Sequence, residues 1–192
     1  MDYFRFGNGD KTLVIIPGLS VDSVMKYADA VAGAYDSITE EFTVYLFDRR
    51  KDLPAKYSIY DMADDTAGAI RELGLDQICL FGASQGGMIA MVIAMDDPGL
   101  VSKLIVGSSS ACIDTEQDQA ISEWIRLAKE KDAEGLYLAF GKAIYPQSVF
   151  EQSQDLLIES AKGVTGEDLS RFVILAESIE GFDITDQLEK IS

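Results

Sequence analysis

The stretch Phe81-Gly82-Ala83-Ser84-Gln85-Gly86-Gly87 decides the fold. It contains the spacing G-x-S-x-G between two apolar segments, Gln77–Phe81 before it and Met88–Met95 after it. A sharp strand-to-helix turn of this kind strains the serine backbone, and its flanking glycines let neighbouring backbone approach closely. The pattern therefore predicts a serine hydroxyl presented for nucleophilic attack. The alternative is a serine that only caps the helix in an ordinary turn.

Short apolar runs alternate with helical patterns on both sides of this turn. Helical spacing runs over 24–35 and 62–73, and the second helix has a predicted capping box at Ser58 and Asp61 and a terminating glycine at Gly74. Such alternation predicts an α/β fold with a mainly parallel sheet of about five strands flanked by helices. The strand candidates are Tyr3–Phe6, Thr12–Ile16, Thr43–Phe47, Gln77–Phe81 and Ser102–Val106.

The pattern changes after Val106. A serine-rich turn at 108–110 follows, and from about Thr115 only helical periodicity remains, with an aromatic-rich segment at 135–150. We interpret residues 1–192 as a single domain with a sheet core over 1–110, a helical cap inserted over 111–182 and a helix over 183–192 that returns to the core.

A serine that attacks a carbonyl group needs hydrogen-bond donors for the oxyanion that forms. The backbone N–H of Gln85 is at the start of the predicted helix, where such a donor is expected. The loop at the end of Leu13–Ser20 offers a second donor, the N–H of Leu19 or of Ser20, although a simple Pro-Gly turn would explain the same residues.

The composition limits the class of partner. Sixteen basic and 33 acidic residues give a net charge of −17, which disfavours nucleic acids and anionic membranes and favours neutral or apolar small molecules. Cys79 and Cys112 have no metal-site or disulfide spacing, and the N-terminal residues lack the pattern of a signal peptide. We expect a cytoplasmic protein without a cofactor or a metal.

These motifs together resemble the α/β-hydrolase fold family, especially its esterase-like and lipase-like members that carry a helical cap. The resemblance implies that Ser84 is the nucleophile, that the backbone N–H groups of Leu19 and Gln85 form the oxyanion hole, and that Asp48 has a structural role. The matching segments are Ile15–Ser20, Phe47–Arg50, Tyr57–Asp65 and Phe81–Gly87.

The chain departs from that family in one respect that matters for chemistry: it contains no histidine. Pro17 occupies the position of a histidine that the family often has, and the segment 183–192 resembles the helix before the strands that carry the family's acid and histidine. We therefore expect a chain that is truncated relative to the family. Asp114 is a candidate for an early acid, but an acid has little to do without an imidazole to orient.

The leading hypothesis is a serine hydrolase for an ester, thioester or similar small acyl substrate, with little or no activity in the chain as given because a base is missing. The alternatives are a non-catalytic module that binds small molecules, or an acyltransferase or C–C-bond hydrolase on the same scaffold. In the family's strand order the strands that this chain lacks would pair beyond 102–106, so the resemblance also implies an exposed edge strand there and self-association through it.

Overall fold

The computed structural model describes residues 1–191 and contains one five-stranded sheet. The spatial order of the strands is β1-β3-β2-β4-β5; β1 runs antiparallel to β3, and the other neighbouring pairs are parallel. All five predicted strands are confirmed, with shifts of one or two residues at their ends. Their bounds are β1 Tyr3–Phe6, β2 Lys11–Ile16, β3 Phe42–Phe47, β4 Ile78–Ala83 and β5 Val101–Gly107.

Seven α-helices accompany the sheet within the described residues. The expected helix over 24–35 is shorter than predicted, because Val24–Tyr27 forms a 3₁₀ turn and only the residues after it are α-helical. The bounds are α1 Ala28–Ala34, α2 Ile59–Glu72, α3 Gln85–Asp96, α4 Thr115–Lys129, α5 Ala133–Ile144, α6 Gln147–Ala161 and α7 Gly166–Glu177.

The two helices that pack on the sheet centre follow their sequence signals. Helix α2 begins with the predicted capping box, in which Ser58 and Asp61 bond each other's backbone N–H, and it is followed by Gly74 at φ 69°. Helix α3 is buried from Gln85 to Met95, so its uniformly apolar sequence reflects burial on all sides. The α3 methionines are core side chains, as expected.

Helices α4 to α7 follow β5 without another strand, as the sequence predicts. The chain then returns to the end of the sheet, where Asp183 forms an isolated antiparallel bridge with Cys112. The helix expected over 183–192 is a 3₁₀ helix, Thr185–Lys190. Within residues 1–191, no helix is both long and apolar enough to cross a bilayer.

Candidate active site

Ser84 lies at the tip of the turn between β4 and α3 and has strained backbone angles, φ 51° and ψ −123°. A non-glycine residue with positive φ costs of order 1–3 kcal/mol and persists only where the surroundings enforce it. Here the Ser84 N–H donates to the Gly107 carbonyl at the end of β5 at 2.9 Å. The serine side chain makes no capping hydrogen bond to α3, so the structure does not support the simple helix-cap interpretation.

The Ser84 side chain faces a cavity of about 390 Å³ between the sheet and the helical segment. Trp124 from α4 and Phe140 from α5 form an aromatic wall, with ring centroids 4.5 Å apart. The serine turn 108–110 after β5 lines the same cavity. The site therefore combines apolar walls with a few hydroxyl groups beside Ser84, which is the usual composition of a small-molecule pocket.

Of the two predicted oxyanion donors, Leu19 lies at this cavity and Gln85 follows Ser84 in the chain. Leu19 lines it together with Ser84, and Gln85 is the first residue of α3, where a backbone N–H has no intrahelical partner. The two residues are only 8% and 1% exposed, and in the described part of the chain neither backbone N–H has a protein acceptor. Unpaired buried N–H groups are rare, and a developing negative charge on a substrate is a suitable acceptor for them.

The loop that carries Leu19 is held close to the serine. A methyl group built on Gly18 would come within 3.2 Å of Ser84 Cβ and 3.7 Å of Ser84 Oγ. The backbone of this loop thus packs directly against the serine side chain. This packing brings the Leu19 segment to the same end of the sheet as the start of α3.

A buried polar bridge connects the turn to the rest of the site. The Arg49 guanidinium donates to the Pro17 carbonyl at 2.8 Å and to Gln85 Oε1 at 3.1 Å. Gln85 Nε2 in turn donates to the Leu175 carbonyl at 2.6 Å and to Ser178 Oγ at 3.1 Å. The side chain of Gln85 therefore joins the loop at Pro17, through Arg49, to the end of α7.

Asp48, which the resemblance assigned to a structural turn, is part of the same network. Its carboxylate accepts hydrogen bonds from the Ser23 hydroxyl, from the Arg49 backbone N–H at 2.7 Å and from the Arg171 guanidinium at 3.2 Å. Burial lowers the pKa of Arg49 to about 10, partly offset by the nearby Asp48 charge, so Arg49 stays charged at neutral pH. Its Nε atom is buried without a hydrogen-bond partner.

We expect Arg49→Met to lower the free energy of unfolding by about 1–3 kcal/mol, because two buried acceptors lose a charged donor while the cost of burying a cation is also removed. The matched control is Arg126→Met on α4. Arg126 bonds both Glu123 and Glu130 but is exposed, so its loss is expected to be much smaller. Chemical denaturation measures both, and an equal loss in the two variants would contradict the prediction.

The site contains no imidazole that could act as a general base for Ser84. The chain has no histidine, and among residues 1–191 the Ser84 hydroxyl has no side-chain hydrogen-bond partner. Asp114 instead caps α4 through a reciprocal capping box with Gln117. Lys142 reaches the cavity wall from α5, although nothing in the sequence near the serine motif indicated a lysine there.

Sequence patterns missed Arg49 and Trp124 as parts of the site. Arg49 belongs to the matching segment Phe47–Arg50, but only the burial of its guanidinium beside Gln85 distinguishes it from a surface arginine. Trp124 sits in a helical stripe that looks like an ordinary core face, whereas Phe140 belongs to the aromatic-rich segment 135–150. For Arg49 and Trp124 the signal is a contact between distant segments.

Comparisons with known proteins agree with this geometry. A family model described as alpha/beta hydrolase fold matches residues 11–175. The RutD protein of Serratia proteamaculans, named as a candidate carbamate hydrolase, is 27% identical over 136 residues, covering 68% of this chain and 51% of that protein. The mouse (Mus musculus) serine hydrolase BPHL is 25% identical over 135 residues, covering 66% of this chain and 45% of that protein. The chain thus spans about half the length of these curated relatives.

Solved structures establish the same fold. MGS-M2, an alpha/beta hydrolase enzyme from a Medee basin deep-sea metagenome library, superimposes with a TM-score of 0.84 at 20% identity, covering 99% of this chain and 72% of that one. The enol-lactonase of Burkholderia xenovorans LB400 superimposes with a TM-score of 0.73 at 18% identity, and the match covers 100% of this chain and 74% of the enol-lactonase chain. Given the matching family model, the strand order and the turn at Ser84, this chain belongs to the α/β-hydrolase fold family.

Proposed function

We propose that this protein is a serine hydrolase that acts on an ester, thioester or similar small acyl substrate through Ser84. The observation that carries the proposal is the strained Ser84 backbone at the wall of a cavity, next to two buried residues, Leu19 and Gln85, whose backbone N–H groups have no protein acceptor among residues 1–191. A structural serine in a βα turn needs neither the strain nor the open donors. The family membership and the name of the serine hydrolase relative are consistent with it.

In the proposed reaction, Ser84 Oγ attacks the substrate carbonyl carbon, and the carbonyl oxygen takes up the negative charge. The N–H groups of Leu19 and Gln85 stabilise that charge by hydrogen bonds. The hydroxyl proton passes to a general base as the bond forms, and the protonated base returns it to the alcohol or thiol as that group leaves. Water then hydrolyses the acyl-serine ester, which releases the acid and restores the Ser84 hydroxyl. Residues 1–192 supply the nucleophile and the donors but no imidazole for the proton.

The walls of the cavity indicate the kind of substrate. Trp124 and Phe140 offer an aromatic surface to an apolar acyl or alcohol group. The net charge of −17 disfavours strongly anionic compounds. We therefore propose neutral, largely apolar substrates for a protein of the cytoplasm.

The proposal is tested by comparing the protein with its Ser84→Ala variant on a series of nitrophenyl esters and on thioesters, both supplied with imidazole as an external base. Turnover that depends on Ser84 supports a hydrolase. Equal rates in the two proteins across short and long acyl groups would contradict it. Retained binding in that case would favour the alternative of a non-catalytic binding module, whereas Ser84-dependent transfer to an added alcohol would favour an acyltransferase.

We also propose that the free edge of the sheet mediates self-association. Strand β5 pairs only with β4 within residues 1–191, and Ile105 on it is 50% exposed. A strand edge with unpaired backbone groups and apolar side chains recruits another strand. We expect light scattering to show oligomers whose average mass increases with protein concentration.

A charged residue at the edge should suppress this association, so Ile105→Lys is expected to be mainly monomeric. The control is Leu156→Lys on α6, since Leu156 is 69% exposed and lies away from the sheet edge. The Leu156→Lys protein should self-associate to the same extent as the unsubstituted protein. A parent protein that stays monomeric at every concentration would rule the edge out.

A further inference from the structure

A second cavity of about 200 Å³ adjoins the Ser84 cavity. The two share Leu19, Phe140 and Ile144 as lining residues, so they meet at the wall that contains the proposed oxyanion donor. A carbonyl oxygen held at Leu19 would leave one side of a substrate facing the first cavity and the other side facing the second. The position of the second cavity therefore suits another part of the same molecule.

The second cavity is apolar along its length and polar at one place. Leu136, Gly141 and Leu157 belong to its apolar wall, whereas Asp22 and the tyrosines around it form the polar part. The Asp22 side chain is only 12% exposed and accepts hydrogen bonds from the Lys26 ammonium, from the Tyr27 hydroxyl at 3.0 Å and, more weakly, from the Tyr137 hydroxyl at 3.5 Å.

The Asp22 carboxylate keeps acceptor capacity for a ligand. The Tyr27 hydroxyl donates to one carboxylate oxygen at 3.0 Å and the Tyr137 hydroxyl lies 3.5 Å from the same oxygen, so spare lone pairs of the carboxylate remain for a hydrogen-bond donor on a ligand. Burial raises the pKa of Tyr137, with the Asp22 charge adding to the effect, so this phenol keeps its proton. Lys26 contacts the carboxylate but is not among the residues that line the cavity.

We propose that the second cavity binds an apolar arm of the substrate that ends in a hydrogen-bond donor, a hydroxyl or amino group, which Asp22 accepts. An arm that ends in a carboxylate is disfavoured, because it brings a second negative charge close to the Asp22 carboxylate. The assignment of this arm to a substrate rests on the proposed function of Ser84. Asp22 is thus a specificity-determining residue.

Binding to the Ser84→Ala variant tests the inference without chemistry. Trp124, the single tryptophan of the chain, lies in the adjoining cavity against Phe140 and reports binding by its fluorescence. The probes are alkyl acetates from butyl to octyl, each with a methyl, hydroxyl, amino or carboxylate end. At the best chain length, we expect the hydroxyl and amino compounds to bind about five-fold or more tightly than the methyl compound, and the carboxylate compound most weakly.

Asp22→Ala, added to Ser84→Ala, should remove the advantage of the hydroxyl and amino ends. Asp22→Asn keeps the side-chain shape and should reduce the advantage of the amino end most, since it removes the charge. Glu134→Ala is the matched control, because Glu134 is an exposed carboxylate on α5 that is not among the lining residues of either cavity. It should leave the order of affinities unchanged.

Equal affinities for methyl and hydroxyl ends would overturn the inference, and so would an advantage that survives in Asp22→Ala or that falls equally in Glu134→Ala. These outcomes are separate from the proposed function. A preference that depends on Asp22 but no Ser84-dependent turnover would refute the hydrolase alone. Ser84-dependent turnover without the preference would refute only this assignment.

Discussion

Addition of imidazole is expected to raise the rate at which the 192-residue chain hydrolyses nitrophenyl esters by about 10²-fold or more, and only when Ser84 is present. A positioned general base contributes ~10²–10⁴-fold to such a reaction, and this chain contains no histidine to provide one. Without imidazole, we expect a slow reaction that depends on substrate binding and the two proposed oxyanion donors. Enzymes whose catalytic triads have been removed still accelerate the reaction by ~10³–10⁴-fold relative to water. Ser84 is exposed at the cavity wall, so a small base can reach it.

The measurement is the initial rate as a function of imidazole concentration, corrected with Ser84→Ala in the same buffers because imidazole itself cleaves activated esters. Saturation with imidazole would indicate a bound base. Lys142→Met is a second control, since Lys142 is the lysine at this cavity. A high rate without imidazole that falls in Lys142→Met would show that the lysine is the base and that the prediction is wrong.

Gly86→Ala is expected to lower the free energy of unfolding by more than about 3 kcal/mol and to abolish ester turnover. A methyl group at Gly86 would lie 2.1 Å from the Ile16 carbonyl oxygen and 2.5 Å from that of Pro17. Both contacts are to backbone, so no side chain can turn aside to relieve them, and overpacking of this kind gives the largest effects of single substitutions. The segment that these contacts would displace, Ile16 and Pro17, is followed closely by Leu19, a proposed oxyanion donor.

Gly68→Ala on α2 is the matched control, because it makes the same change in another helix where the new methyl group meets no atom within 4 Å. Alanine is a better helix former, so this variant should gain about 0.5–1 kcal/mol. Denaturant titrations of the three proteins measure the effect. A Gly86→Ala protein as stable as the parent would mean that α3 and the oxyanion loop are not packed as described.

Local sequence patterns determined much of this protein. The five strands, the capped start of α2, the buried helix α3 and the turn at Ser84 were all predicted, because each depends on residues within a few positions of one another: apolar runs, a capping pair, or glycines around a serine. The fold class follows from the order of these elements. The same local evidence overestimated α1, whose first turn is a 3₁₀ helix, since the spacing of apolar residues distinguishes the two helix types poorly at a terminus.

Tertiary structure alone decided what surrounds the serine. Arg49 meets Gln85 across 36 residues and Gln85 meets Leu175 across 90, so no periodicity in either segment could indicate the buried bridge. In the sequence, Lys142 and Asp22 likewise look like ordinary charged residues. Only the folded chain places Lys142 at the first cavity and Asp22 at the second. Local patterns reflect the backbone conformation of neighbouring residues, whereas the polar contacts and shape of a site depend on segments that only the packed chain brings within bonding distance.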